Sequence, residues 1–107
     1  MHTIEGNERL GEILLALDNA APSSILVTSS SLTNLLNRFL TGEITASDME
    51  MLADRMEMNE AVVLDERQRP TLINCLFILS SPDINGELSP LVARDIICQL
   101  AMSTRQN

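Results

Sequence analysis

Apolar residues in this chain recur at the spacing of helix faces. Leu10, Ile13, Leu14 and Leu17 fall at i, i+3, i+4 and i+7, which predicts a first helix from about Glu5 to Asn19. Ala20-Ala21-Pro22-Ser23-Ser24 breaks it. The apolar triplet Ile25-Leu26-Val27, just before a serine run, reads as the beginning of another helix, with a short extended piece as the alternative. Leu32, Leu35, Leu36, Phe39 and Leu40 set a helix from about Ser31 to Leu40, opened by a Ser cap and stopped by Gly42 just past its end.

Thr45-Ala46-Ser47-Asp48 matches a capping box: the Thr hydroxyl accepts from a free backbone N–H, and the acid reaches back to the N–H of the cap residue. A helix is expected from there to about Asn59, with Met49, Leu52, Ala53 and Met56 turned inward. Val62-Val63-Leu64-Asp65-Glu66 reads as an acidic connection. Pro70 to Leu79 is apolar nearly all round, with Pro at the first helical position, and predicts a buried central helix, a strand being the alternative. Ser81-Pro82-Asp83-Ile84-Asn85-Gly86 is a turn, and Ser89-Pro90 caps a last helix whose stripe is Val92, Ala93, Ile96, Ile97 and Leu100. No alternation long enough for a sheet stands out. The expected fold is therefore all-α, a single-domain bundle of about five to seven short helices over residues 1–107.

Composition supports a packed domain, since 45% of residues are hydrophobic and only 21% charged, with Gly and Pro scarce. No apolar run is long enough to cross a bilayer, and MHTIEGNERLGEILLALDNA carries acids where a signal peptide needs bases, so a soluble, cytoplasmic protein is expected. Cys75 and Cys98 both lie in apolar helical patterns and read as buried small hydrophobes, not as a bridge.

Charge narrows the function classes. Fifteen acids face seven bases, all of them Arg, for a net charge of −8. A phosphate-binding surface needs bases, and a single-strand platform also needs aromatic rings, of which Phe39 and Phe77 are the full supply. Direct binding to nucleic acid or to an anionic membrane is disfavoured on that balance, and a basic protein partner is favoured. The one histidine, His2, stands next to the first residue and makes a poor general base. No nucleophile elbow, phosphate-binding loop, zincin motif or paired C-x-x-C occurs, so no catalytic residue and no cofactor are assigned.

Gly42-Glu43-Ile44-Thr45 with Asp48 looks like the second half of a calcium loop, and Asn85-Gly86-Glu87-Leu88-Ser89 echoes it. Such a loop needs oxygen ligands at positions 1, 3 and 5, Gly at 6 and an acid at 12. With Gly42 at position 6, Phe39 falls at position 3; with Gly86 there, Val92 falls at position 12. Neither residue coordinates calcium, so no metal ligand is assigned, and both motifs read as helix stops followed by Thr45 and Ser89 caps.

What is left is a surface. Between Glu43 and Glu66 stand eight acids against one base, Arg55. Helical spacing puts Glu50, Asp54 and Glu57 on one flank of the third helix, with Met51, Asp54 and Met58 opposite its core stripe. Adaptable Met side chains among acids suit a protein contact. The candidate partner-binding set is Glu50, Met51, Asp54, Glu57, Met58, Glu60, Asp65 and Glu66. Leu91, Asp95, Cys98 and Met102 form a weaker candidate face on the last helix.

LLNRFLTGEITASDMEMLADRMEMNEAVVL, from Leu35 to Leu64, and the later LFILSSPDINGELSPLVARDIICQL resemble small helical immunity proteins found beside toxins of bacterial contact-dependent growth inhibition (CDI) and related polymorphic toxin systems. The likeness rests on FLTGEITASDMEMLAD and SSPDINGELS and spans most of the chain from Leu35 to Leu100. It implies a non-enzymatic monomer that binds a cognate toxin domain one to one, often a nuclease, and blocks its active site. It transfers no binding residues, because toxin contacts vary with the toxin. Readings from other classes are a non-catalytic acidic helical adaptor and a degenerate EF-hand-like regulatory protein.

Overall fold

The computed structural model describes residues 1–105 and orders the chain as β1 (His2–Ile4), α1 (Leu10–Asn19), β2 (Ile25–Val27), α2 (Ser29–Leu40), α3 (Ala46–Glu57), β3 (Val62–Leu64), a 3-10 turn (Glu66–Gln68), α4 (Arg69–Ser80), α5 (Pro82–Asn85) and α6 (Pro90–Arg105). The chain is mostly helical. It is not all-α, because the strands form one parallel sheet in the order β1-β2-β3. Its registers pair Thr3 with Leu26 and Leu26 with Val63. Parallel neighbours require crossovers, which α1 supplies between β1 and β2, and α2 with α3 supply between β2 and β3.

The sheet corrects three expectations. Ile25-Leu26-Val27 is a strand, not a helix start; Val62-Val63-Leu64 is a strand, not a connection; and the first helix begins at Leu10, not Glu5, because the chain leaves β1 through a turn at Gly6. Each strand holds only three residues, too short a run for alternation to mark it as a strand. One sheet face is core: Ile4, Ile25 and Val27 are buried there, in register with half-buried Val62 and Leu64. The opposite face carries Thr3, exposed, beside Leu26 and Val63, half-buried.

Helix α2 starts two residues earlier than its apolar spacing showed, because its cap is Thr28 and Ser31 is the third helical residue. Ser31 Oγ accepts from the Thr28 N–H (2.9 Å), and Thr28 Oγ1 accepts from the Ser31 N–H (3.2 Å). Ser31 is fully buried and its hydroxyl donates to the Ile4 carbonyl, which ties α2 to the end of β1. Gln68, also buried, accepts from the Ser29 N–H (3.2 Å), meeting a donor at the helix start that no water reaches.

In α4 the buried residues are Leu72, Cys75, Leu76 and Leu79, on one side; Ile73 and Phe77 are exposed. The helix therefore lies on the surface and is not buried all round. Cys75 is buried as expected, but Cys98, expected to be buried too, is exposed. The stripe on α6 holds: Ala93, Ile96 and Leu100 are buried, Val92 and Ile97 half-buried. No helix among the described residues is long and apolar enough to cross a membrane.

Candidate functional site

The acidic helix α3 is held by its ends. Thr41 closes α2, and Gly42 follows it at φ +83°, a left-handed conformation that costs glycine little. The Gly42 N–H donates to the Phe39 carbonyl (3.0 Å) and the Glu43 N–H to the Arg38 carbonyl (2.9 Å). That pair of bonds is a Schellman stop. Ile44 then turns into the core, 3% exposed, and Thr45 opens α3. The capping box is reciprocal: Asp48 Oδ2 accepts from the Thr45 N–H (2.9 Å), and Thr45 Oγ1 accepts from the Asp48 N–H (3.1 Å). The likeness to a calcium loop is thus the shape of a helix stop joined to a helix start, with Asp48 serving the backbone. The echo uses the same parts more loosely. Gly86, at φ +85°, donates to the Pro82 carbonyl (2.8 Å) to end the one-turn α5, and Ser89 Oγ accepts from the Val92 N–H (3.2 Å) to open α6.

With those ends set, the inward stripe falls as expected. Met49, Leu52, Ala53 and Met56 are all buried, against α4 and α2. Glu50, Asp54 and Glu57 are exposed, and Met58, just past the helix, is 83% exposed. Met51 is half-buried, so it contributes less outer surface than its position on the helical wheel promised.

The eight candidate residues do not form one patch. Asp54, Met58 and Glu60 meet in a hollow of about 430 Å³ that Asp18 and Arg55 also line. Glu57 lines a different hollow, of about 420 Å³, beside β3, with Arg69 and Ile73. Its carboxylate accepts from the Ser80 hydroxyl. Glu50 lines neither hollow. Asp65 is half-buried beyond the far end of β3, where it accepts from the Arg67 N–H (3.2 Å) to start the 3-10 turn, and Glu66 is exposed next to it. Asp65 is thus partly committed to structure.

Among the described residues two ion pairs form, and they leave the candidate acids out. Arg38 pairs with Glu43, and Arg55 Nη1 lies 2.6 Å from Asp18 Oδ1. The single base in the acidic segment therefore turns to an acid of α1. Sequence reasoning missed Asp18 as a wall of the first hollow; the pairing spans 37 residues, and no local pattern announces it. It missed the hollow beside β3 for the same reason. Asn59 sets the chain's approach to that strand: its Nδ2 donates to the Leu17 carbonyl (2.6 Å), and its Oδ1 accepts from the Ala61 N–H (2.9 Å).

Two titratable groups elsewhere are perturbed. Burial pushes the Glu8 carboxyl up, but hydrogen bonds from the backbone, including the N–H groups of Glu5 and Gly6, outweigh it with help from the His2 charge, and its pKa lies below the usual value of 4.5. Burial, and then the negative charge of Asp95, push the Cys75 thiol up to about 11. That thiol stays protonated and inert at neutral pH. Among the described residues no cluster of three or more His, Cys, Asp or Glu side chains is arranged to hold a metal ion.

In comparisons with protein-family models, with curated proteins and with solved structures, nothing matches this chain.

Proposed function

We propose that the chain is a non-catalytic binding protein of the immunity type, which neutralises a toxin domain by covering a basic active site with the acidic surface of α3 and the turn after it. One observation carries the reading: Glu50, Asp54, Glu57 and Glu60 are exposed, and neither ion pair among the described residues uses them. Charges left without internal counterions raise the self-repulsion of the fold and gain a favourable partner only when a basic surface arrives. Nucleases that grip phosphates present such surfaces. Met58, among these acids and largely exposed, adds an adaptable apolar contact. The resemblance of residues 35–100 to immunity proteins of CDI-type toxin systems supports the same reading, with the cytoplasm as the place of action.

Reversal of charge at Glu50, Asp54 and Glu57 together tests it. Co-expressed with its cognate toxin domain, the wild-type protein should preserve growth and the triple variant should not. In vitro, association of the variant should slow by about tenfold at low salt, and the difference should shrink as salt rises. Undiminished protection by a folded triple variant would remove this surface from the binding site.

A further inference from the structure

The sheet stops at β3, and most of the backbone groups on the outer side of that strand have no partner among the described residues. The bonds to β2 fix its phase. The Ile25 N–H donates to the Ala61 carbonyl (2.8 Å) and the Asp65 N–H to the Val27 carbonyl (3.1 Å). In a parallel ladder the polar groups of Ala61, Val63 and Asp65 therefore face β2, and those of Val62 and Leu64 face away. The Val62 N–H donates to the Asn59 carbonyl (3.1 Å). Among the described residues no protein group pairs with the Leu64 N–H or with the carbonyls of Val62 and Leu64.

Val62 and Leu64, which carry those groups, line with Val63 a hollow of about 420 Å³, together with Glu57 from α3 and Arg69, Ile73 and Leu76 from α4. Ile73, one of the lining residues, is 47% exposed, an apolar side chain that packing within the protein covers only in part. A helix laid in this hollow would leave the edge groups unmet, because its own donors and acceptors are spent internally. An extended backbone meets them in either direction. Antiparallel, one residue exchanges both bonds with Leu64; parallel, one residue donates to the Val62 carbonyl and accepts from the Leu64 N–H. The side chains of such a strand alternate, so one set reaches the α4 wall while the other stays in water. Glu57 lines the hollow, and Glu60, Asp65 and Glu66 bracket β3 in the chain, four acids against two bases, Arg69 in the lining and Arg67 in the turn after β3. The strand that fits alternates apolar and basic residues, with its bases near Glu57.

We propose that β3 is a docking edge: an extended segment of the basic partner protein adds to the sheet as a fourth strand and seats apolar side chains against Ile73. The basic character of the partner rests on the proposed function; the strand pairing does not.

The test uses the whole protein and, as probe, a short acetylated peptide alternating Val and Arg, with copies N-methylated at every second residue in both phases. Hydrogen exchange at the Leu64 amide is followed by NMR. The unmethylated peptide should slow that amide by about tenfold, and at least one methylated copy, with the same charge but without the ladder donors, should not. No slowing, or equal slowing by all the peptides, overturns the pairing. So does slowing that grows with protein concentration alone, which would give the edge to a second copy. A peptide with Gln in place of Arg separates the two proposals. Equal binding with Leu64 still protected removes the basic partner and upholds the strand, whereas weaker binding with Leu64 protected at saturation upholds both.

Discussion

Around Gly6, polar groups from separate segments converge and satisfy one another. Glu8 accepts from the N–H groups of Glu5 (3.0 Å) and Gly6 (2.8 Å), Arg38 Nη1 donates to the carbonyls of Gly6 (2.8 Å) and Glu8 (2.7 Å), and Asn34 donates to the Glu5 carbonyl (2.7 Å). On α3 and its following turn, by contrast, Glu50, Asp54 and Glu60 extend outward with no ion pair among the described residues. Both regions are charged. In the first, charge replaces the water lost when the β1 turn packs on α2; in the second, charge keeps its water and stays available to another molecule. The difference separates polar residues that hold the fold from polar residues that a partner can use.

The strongest way to break the first region is Gly6→Ala. Gly6 sits at φ +94°, and a Cβ there would come within 2.5 Å of the Ser31 carbonyl oxygen and 2.7 Å of Asn34 Cβ. Backbone cannot yield as a flexible side chain can, so the variant should lose about 3 kcal/mol or more, read by urea denaturation. Gly42 makes the useful contrast: at φ +83° it has the same conformational need, but a Cβ there meets nothing within 4 Å. Its Ala variant should lose only about 1 kcal/mol, from conformation alone.

Next in size is Arg38→Ala. It removes two charged hydrogen bonds from part-buried carbonyls as well as the pair with Glu43, and should cost about 2 kcal/mol. The triple charge reversal on α3 should change stability by less than about 1 kcal/mol in the same measurement, because among the described residues Glu57 is the one of the three whose side chain has a hydrogen-bond partner, Ser80. If the two variants cost the same, the acids are structural and the contrast between the regions fails.

The smallest effect concerns pH. The folded-state pKa of Glu8 lies below its unfolded value of 4.5, so its contribution to stability is present above that value and is lost as pH falls through the folded pKa. Because Glu8 is partly solvated, the loss should be a few tenths of a kcal/mol. Glu8→Gln should flatten the fall in stability as pH drops below the unfolded value, and charge reversal at Glu50 should leave the Glu8 contribution as it was.

What could be read before folding was local. The Gly42 stop, the Thr45–Asp48 box, the Ser89 cap and the inward stripes of α3 and α6 all came through, because each depends on residues within one or two turns of one another. Exposure of Glu50, Asp54, Glu57 and Met58 followed from the same helical period.

The sheet did not come through, because three-residue strands have no period of their own. Ile25-Leu26-Val27 becomes a strand only when His2–Ile4 and Val62–Leu64 arrive on either side to take its backbone bonds. The hollow that gathers Asp18, Asp54, Met58 and Glu60, and the open edge of β3 against α4, likewise belong to the tertiary structure. The sequence by itself determined the inward stripes of α3 and α6, since those follow from 3.6 residues per turn, but not the exposed side of α4, where apolar residues all round leave no stripe to read. Which exposed groups stand together, and which backbone groups are left for a partner, was decided by packing between segments far apart in the chain, where no local periodicity reaches.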